Sequence, residues 1–183
     1  MPASPTWLRQ VHGADVIVVG RRGEHAGTDG DALVTAAPGC ALMVRTADCA
    51  PVVVDAGGAV GLVHAGWRGL LDGVIRAACA ALVDLGHEPR AATIGPCIRP
   101  GCYEFGGPEL DAVTSRFGAG VRATTAWGTR ALDLPAAVVA ALADAGVTDV
   151  RDDEGCTACD TRWYSHRARG DTGRVAAVAW LEP

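Results

Sequence analysis

The pattern of β-strands appears in two short apolar segments near the middle of the chain, Pro51–Asp55 and Val60–His64. Both segments are rich in valine and are bounded by polar or glycine residues, as strands usually are. The pair Gly57-Gly58 between them supplies the positive φ angles that a tight two-residue turn needs. The pattern therefore predicts a β-hairpin.

The turn also fixes which residues of the hairpin face each other. With Gly57 and Gly58 in the turn, the predicted pairs are Ala56 with Ala59, Asp55 with Val60, Val53 with Leu62 and Pro51 with His64. Side chains alternate between the two faces of a strand, so Cys49 shares a face with Pro51 and lies about 7–8 Å diagonally from His64. The register thus predicts that a thiol and an imidazole meet at the open end of the hairpin.

Helical spacing of apolar residues begins at Leu70 and continues to Leu85, where Gly86 suits the position just after a helix. This predicts one core-facing helix of about five turns. A second helix is predicted from Pro108 to Phe117, and a third begins at Asp133-Pro135 and runs through Ala145.

The remaining apolar runs predict further strands, and polar or glycine-rich segments between them predict loops. Strands are expected at Trp7–Val19, Ala41–Arg45, Ala91–Ile94, Val147–Arg151 and Arg174–Trp180, and loops at Arg21–Asp31 and Cys97–Glu104. The last strand is a continuous apolar run, which is typical of a sheet covered on both faces. No glycine-rich dinucleotide motif or P-loop accompanies this alternation of strands and helices.

The residues around the open end of the hairpin suggest a reactive site. Asp48 adds a carboxylate beside Cys49, and the sequence His-Ala-Gly-Trp-Arg-Gly leads from His64 into a helix. Arg68 and the free N–H groups of the first helical turn favour an anion there. A buried thiol and a hydrogen-bonded histidine are also common core features. The neighbours favour a site, in which Cys49 is a metal ligand or a nucleophile.

Composition limits the classes of protein to which the chain can belong. It has 183 residues, 49% of them hydrophobic, which suits one domain with a sizeable core. The Met1–Pro5 segment lacks the features of a secretory signal, and seven cysteines are an odd number, so we expect reduced thiols and a cytoplasmic protein. The net charge of −5, with arginine as its only basic residue besides histidine, speaks against nucleic-acid or membrane binding.

Two other groups of residues have side chains that can bind metals, but their spacing matches known metal-binding motifs less well. Asp29 and Asp31 lack the remaining ligands of a calcium loop, so turn and capping roles are expected. Four cysteines, Cys97, Cys102, Cys156 and Cys159, would suffice for a structural zinc site, which is an alternative hypothesis for these residues.

Six motifs in order resemble the YfiH-like family, also called the laccase-domain or polyphenol oxidase family and reassigned as purine nucleoside phosphorylases. They are QVHGADV at Gln10–Val16, DGDALVT at Asp29–Thr35, TADCAPV at Thr46–Val52, HAGWRG from His64, IGPCIRPGCYE at Ile94–Glu104, and the C-terminal CT, SHR and GR. The resemblance implies an α/β (α+β), CNF/YfiH-like fold in which mixed β-sheets form a sandwich flanked by helices.

The resemblance also implies a site and an activity. His12, Cys49 and His64 fall on the family's zinc ligands, and three ligands leave a fourth position open for catalysis. The implied activity is phosphorolysis of adenosine, inosine, guanosine and methylthioadenosine to the base and ribose 1-phosphate, with additional adenosine deaminase activity. Its partners are small molecules, namely purine nucleosides and phosphate.

The roles of the remaining polar residues are hypotheses. Arg68 and Arg167 are the candidates for binding phosphate, the latter because the SHR segment of the family returns to the active site. Asp48 is the candidate for proton transfer, or alternatively orients His64 or His12.

Two rival functions remain from other classes. A Cys-His hydrolase, such as a peptidoglycan-precursor editing factor, would use Cys49 as a nucleophile activated by His64. A copper polyphenol oxidase would need a cluster rich in imidazole, whereas the five histidines are scattered. Metal content and alkylation of Cys49 separate these from the zinc enzyme.

The resemblance further implies that family members carry about sixty residues before the QVH motif, where this chain has nine. We therefore expect a single domain over residues 1–183 that lacks this N-terminal segment of the family.

Overall fold

The computed structural model describes residues 4–182, so the first three residues of the Met1–Pro5 segment lie outside it. In chain order the strands are β1 (Thr6–Trp7), β2 (Val16–Val18), β3 (Ala32–Thr35), β4 (Leu42–Thr46), β5 (Ala50–Asp55), β6 (Val60–Ala65), β7 (Ala91–Ile94), β8 (Arg122–Thr124), β9 (Arg130–Leu132), β10 (Asp149–Asp152) and β11 (Val175–Ala179). The α-helices are α1 (Trp67–Asp72), α2 (Val74–Asp84), α3 (Gly107–Phe117), α4 (Leu134–Asp144) and α5 (His166–Arg169). Short 3₁₀ turns occur at Pro100–Cys102 and Ala119–Val121.

A six-stranded sheet in the order β10-β7-β5-β6-β3-β2 forms the centre of the molecule. Its inner pairs are antiparallel, whereas β2 runs parallel to β3 and β10 runs parallel to β7. A second sheet has the order β1-β4-β11, and β8 pairs with β9 in a separate hairpin that the sequence pattern did not predict. Both larger sheets are mixed, as the family resemblance implies.

Two hydrophobic clusters hold these layers together. The larger one packs α2 and α4 against one face of the six-stranded sheet, with Ile75, Leu82 and Val138 fully buried. The smaller one fills the space between the two sheets and includes Leu33 and Leu42. The result is a mixed β-sandwich with helices outside, which confirms the predicted fold class. None of the helices in residues 4–182 combines the length and apolar character that a membrane crossing requires.

The hairpin of β5 and β6 has the predicted register. Asp55 pairs with Val60, Val53 with Leu62 and Pro51 with His64, and the Ala56 N–H donates to the Ala59 carbonyl. Gly57 and Gly58 form the turn with φ of 61° and 122°. The register therefore brings Cys49 and His64 to the same end of the sheet.

The strand predicted over Trp7–Val19 is wrong, because two short strands replace it. β1 ends at Trp7 and belongs to the three-stranded sheet, whereas β2 begins at Val16 and belongs to the central sheet. Between them His12 has a φ of 62°, in the left-handed region where few non-glycine residues lie. A strand cannot continue through that conformation, so the chain turns at this histidine.

The predicted long helix and the predicted buried last strand also need correction. Gly73, with a φ of 90°, ends α1 and begins α2, so two helices cover the span predicted as one. The last strand, β11, is an edge strand of the three-stranded sheet and remains partly exposed. It pairs with β4, and Ala177 and Ala179 pack against the core between the two sheets, whereas Ala176 is exposed.

Candidate metal centre

His12, Cys49 and His64 converge at one end of the central sheet, with their potential ligand atoms within 4.8 Å of one another. The Cys49 Sγ lies 3.9 Å from the His12 Nε2, and the two imidazole ring centroids are 4.9 Å apart. Two such ligands of one tetrahedral zinc ion would be about 3.6 Å apart, from the usual bond lengths. The three residues therefore need only small adjustments to bind one ion.

Different elements contribute each of these side chains. His64 lies on β6, Cys49 immediately precedes β5, and His12 occupies the turn between β1 and β2. Asp48, next to Cys49, has a φ of 95°, so left-handed backbone occurs on two sides of the site. Such conformations cost about 1–3 kcal/mol each for residues other than glycine and are found most often at functional sites.

The residue that orients the centre is Asp31, whose side chain is completely buried. Its Oδ1 lies 2.7 Å from the His64 Nδ1, which leaves the Nε2 of that ring facing the site. The same carboxylate accepts N–H bonds from Val11, His12 and Gly13, at 3.2, 3.0 and 2.8 Å. One carboxylate thus fixes a histidine tautomer and holds the turn that carries the other histidine.

Local charges favour a thiolate and an imidazolium in the absence of a metal. Burial raises the pKa of the Cys49 thiol, but hydrogen bonds and positive charge from His12 and His64 outweigh it and lower the pKa to about 6. Burial lowers the pKa of His64, but its bonds to Asp31 and Cys49 raise the pKa to about 9. The sulfur is therefore available as a thiolate near neutral pH, the form in which cysteine binds metals.

Asp48 does not orient either histidine, which corrects one of the two roles predicted for it. Its Oδ1 accepts hydrogen bonds from the hydroxyls of Thr157 and Ser165, both at 2.7 Å, and its Oδ2 accepts the Arg167 N–H at 2.7 Å. This buried carboxylate therefore joins the start of β5 to the C-terminal segment. Asp31 orients His64 instead, a role that the expected turn and capping function of that residue did not include.

Two glycines of the HAGWRG motif lie where a side chain would crowd neighbouring atoms. A Cβ on Gly66 would lie 3.1 Å from both the Cys49 Sγ and the His12 Cδ2. A Cβ on Gly69 would lie 2.8 Å from the carbonyl oxygen of Gly13. Close packing of this turn against two of the potential ligands explains why the motif needs glycine here.

A cavity of about 680 Å³ opens onto the three residues, and its lining is strongly basic. The lining includes five arginines, of which only Arg9 is paired with a carboxylate, that of Asp29, among residues 4–182. They are Arg9, Arg45, Arg68, Arg167 and Arg174. Asp48 is the only carboxylate-bearing residue among the lining residues. In a chain with a net charge of −5, this concentration of positive charge indicates a site for an anion.

The structure places both predicted anion-binding arginines at this cavity. Arg68 lies over the Trp67 ring at 4.3 Å from its centroid, and no carboxylate within residues 4–182 lies close enough to form an ion pair with it. Arg167 lies over Tyr103 and donates to the Glu104 carbonyl at 3.2 Å. Both side chains also line an adjoining cavity of about 820 Å³.

Tyr103 and three of the arginines that line the cavity were not predicted as site residues, and His166 was expected near the site only as part of the SHR motif. Tyr103 was placed in a loop, but it is buried, and burial raises its pKa. His166 begins the short helix α5, which Ser165 caps by accepting the Ala168 N–H. Their proximity to the site depends on contacts between distant segments, for which the linear sequence gives no signal beyond the IGPCIRPGCYE and SHR motifs.

Three of the four cysteines of the proposed structural zinc site lie close together, and the fourth does not. The sulfur atoms of Cys102, Cys156 and Cys159 lie within 4.8 Å of one another. Cys97 is completely buried and is not part of this group. It lies opposite Cys156 in a β-bridge, in which the Cys97 backbone bonds to Gly155 and Thr157, and its side chain packs into the core. A four-cysteine site is therefore wrong, and a three-cysteine cluster remains.

Comparison with known sequences gives a full-length match. A family model described as "Multi-copper polyphenol oxidoreductase laccase" matches residues 1–182. "Purine nucleoside phosphorylase ORF3" of Streptomyces griseus is 42% identical over 187 residues, covering 99% of this chain and 76% of the relative. "Purine nucleoside phosphorylase YfiH" of Escherichia coli is 35% identical, covering 99% of this chain and 75% of the relative.

Solved structures give the same result at the level of the fold. The crystal structure of the hypothetical protein YfiH of Bacillus licheniformis superposes with a TM-score of 0.86 at 26% identity, covering 97% of this chain and 74% of the other. YlmD from Geobacillus stearothermophilus gives a TM-score of 0.82 at 32% identity, with the same coverage. The similarity therefore extends over almost all of this chain.

Proposed function

This chain belongs to the multi-copper polyphenol oxidoreductase laccase family of YfiH-like purine nucleoside phosphorylases, and on that premise we propose that it is a zinc-dependent purine nucleoside phosphorylase. The observation that carries the proposal is the convergence of two imidazoles and one thiol in the lining of an arginine-rich cavity. Its proposed substrates are inorganic phosphate and the purine nucleosides adenosine, inosine, guanosine and methylthioadenosine.

The donor set fits zinc. His12, Cys49 and His64 would hold the ion, and two nitrogens with one sulfur form a three-ligand set that leaves one tetrahedral position open. When bound, zinc supplies a Lewis acid that polarises an oxygen in that position. An imidazole-rich copper cluster has less support, since only two of the five histidines belong to the metal-binding groups found within residues 4–182.

The arginines provide the charge that phosphorolysis needs. In this reaction a phosphate oxygen bonds to C1′ of the ribose as the bond from C1′ to the purine nitrogen breaks. The departing purine nitrogen takes up the proton that phosphate loses, so the products are ribose 1-phosphate and the neutral base. We assign Arg68 and Arg167 to the phosphate, because both guanidinium groups line the cavity and each can donate two parallel hydrogen bonds. Such bonds also stabilise the charge on phosphate as it attacks.

Asp48 acts in this proposal by positioning Arg167 rather than by transferring a proton. The carboxylate accepts three hydrogen bonds, one of them from the Arg167 backbone N–H. These bonds hold the α5 segment against the start of β5. Trp67 and Tyr103, which also line the cavity, offer aromatic surface to the purine ring.

The same centre supports the proposed adenosine deaminase activity. Deamination adds water at C6 of the purine and releases ammonia, which converts adenosine to inosine. A site with an open ligand position suits this hydrolysis because it can activate a water molecule. This second activity needs no phosphate, so the two reactions can be separated by their substrates.

The test is chromatographic identification of purine products after incubation of zinc-loaded protein with adenosine, with and without phosphate. We expect adenine or hypoxanthine only when phosphate is present, and inosine in both reactions. Cys49→Ala should abolish both activities, whereas Cys79→Ala, which alters a buried thiol on α2, should retain them.

Two results would contradict the proposal. Release of the base at equal rates with and without phosphate would indicate a hydrolase. Full activity in metal-free protein, lost when Cys49 is alkylated, would favour the rival Cys-His mechanism, in which that sulfur attacks the substrate.

A further inference from the structure

The cysteine cluster of Cys102, Cys156 and Cys159 lies outside the proposed catalytic centre. Its three sulfur atoms, within 4.8 Å of one another, come from two segments that are more than fifty residues apart in sequence. Thiolates bound to one zinc ion lie about 3.8 Å apart, from a bond length of about 2.3 Å and a tetrahedral angle. Movements of about 1 Å or less would bring the three sulfurs to that spacing.

The backbone around the cluster is held in place without the sulfurs. The Cys97 N–H donates to the Gly155 carbonyl, and the Thr157 N–H donates to the Cys97 carbonyl, which fastens the second segment to the end of β7. Arg99 and Arg169 donate to the carbonyls of Gly155, Thr157 and Ala158. The cysteines are therefore presented by a fixed loop, and binding a metal there requires little ordering.

The exposure of the three cysteines also fits a metal site. Cys159 is exposed, whereas Cys102 and Cys156 are half-buried. A metal ion can therefore enter from solvent, and water can occupy a fourth position.

We propose that Cys102, Cys156 and Cys159 form a second metal site, which binds a thiophilic divalent ion such as Zn²⁺ and stabilises the loop beside the catalytic centre. Thr157 links the cluster to that centre. It lies between two of the cysteines in sequence, and its hydroxyl donates a hydrogen bond of 2.7 Å to Asp48. Cys102 precedes Tyr103, which lines the catalytic cavity. The metal would thus hold together two segments that form the wall of the site.

The test uses metal-stripped, reduced protein reloaded with Zn²⁺ or Co²⁺, and it measures bound metal by native mass spectrometry. Four proteins are compared, namely the unaltered chain, Cys49→Ala, Cys159→Ser and the control Cys79→Ala. Cys159 is exposed, so its replacement by serine should leave the fold intact, which circular dichroism verifies. The Co²⁺ proteins are also examined for sulfur-to-metal charge-transfer absorption.

We expect two ions in the unaltered chain and in Cys79→Ala, and one ion in each of the other variants. In Cys49→Ala the remaining Co²⁺ should show absorption from several thiolates, and it should protect all three cluster cysteines from alkylation. Cys159→Ser should weaken binding at the second site by about 100-fold or more, since it removes a ligand rather than a supporting group.

Three results would overturn the second site. They are a Cys49→Ala protein that binds no metal, a Cys159→Ser protein that still binds two ions, and a disulfide among the three cysteines that persists after reduction. These results can be told apart from a failure of the proposed function. The Cys159→Ser protein keeps His12, Cys49 and His64, and its catalytic activity is measured separately.

Discussion

At the scale of single residues, Asp31 determines the geometry of the proposed catalytic centre. It bonds to the His64 ring and to the backbone N–H of His12, so removing its charge disturbs two of the three proposed ligands. Replacing a carboxylate that orients a metal ligand commonly lowers the metal affinity by about 10- to 100-fold.

Asp31→Asn should therefore weaken zinc binding at the catalytic centre by about 10- to 100-fold, as measured by competition with a chromophoric chelator. Asp29→Asn is the matched control, because Asp29 pairs with Arg9 at the surface and such pairs contribute little. Equal affinities for the two variants would show that Asp31 does not support the ligands.

The Cys49 thiol gives a prediction about pH. Only the thiolate reacts with iodoacetamide, and the pKa of about 6 places half-maximal reactivity near pH 6 in metal-free protein, rather than near the ordinary 9.0. The rate should fall as pH drops below 6 and be constant above about 8. Peptide mass spectrometry gives the rate at each cysteine.

Cys79 serves as an internal control in the same digest, because burial raises its pKa to about 11 and it should remain unmodified near pH 7. A midpoint near pH 9 for Cys49 would contradict the proposed influence of the two histidines.

At the scale of elements, the hairpin shows how much of the site follows from sequence. The spacing of valines around Gly57-Gly58 gave its register, and the register gave the proximity of Cys49 and His64. His12 was assigned only by resemblance, because a local pattern predicts a strand there and not the left-handed turn that the structure has. Tertiary bonds from Asp31 override that local preference.

The helix that follows the hairpin shows a similar limit. Apolar spacing predicted the buried face of α1 and α2. The same spacing continues across Gly73, so it does not reveal that the helix is interrupted there. That break ends α1 after six residues, and Trp67 and Arg68 at the start of this helix line the cavity.

Gly66 is a position in this region where adding a single methyl group should lower the affinity for zinc. The Cβ of Gly66→Ala would press on the Cys49 sulfur and the His12 ring, so we expect zinc affinity to fall about tenfold or more. Gly120→Ala is the control, since its Cβ would meet nothing within 4 Å. Unchanged affinity in Gly66→Ala would show that the turn can move away from the ligands.

At the scale of the whole molecule, the site joins the two ends of the chain. Segments near residues 10, 49, 64, 103 and 167 meet at one cavity, and Asp48 holds the last of them through Thr157, Ser165 and Arg167. The linear sequence contains each motif but not these contacts, so the roles of Asp31, Asp48 and the three-cysteine cluster emerged only from the folded structure.

Ser165→Ala tests this connection. It removes a buried hydroxyl that donates to Asp48 and caps α5, and we expect a loss of about 1–3 kcal/mol in the free energy of unfolding. The KM for phosphate should rise more than the KM for adenosine, because Arg167 is less firmly held. Denaturant unfolding and steady-state kinetics measure these effects.

Ser115→Ala is the matched control, because that serine is exposed on α3. A Ser165→Ala protein that keeps the unaltered chain's stability and phosphate KM would contradict the role assigned to Asp48.

The most direct test of the central claim is a zinc titration of metal-stripped Cys159→Ser protein, which isolates the centre of His12, Cys49 and His64, followed by assay of purine release. We predict that phosphate-dependent release rises in proportion to added zinc and levels off at one ion per chain, while Cys49 becomes protected from alkylation over the same range. Full phosphate-dependent activity before any zinc is added, or a Cys49 that stays fully reactive at saturation, would contradict the account.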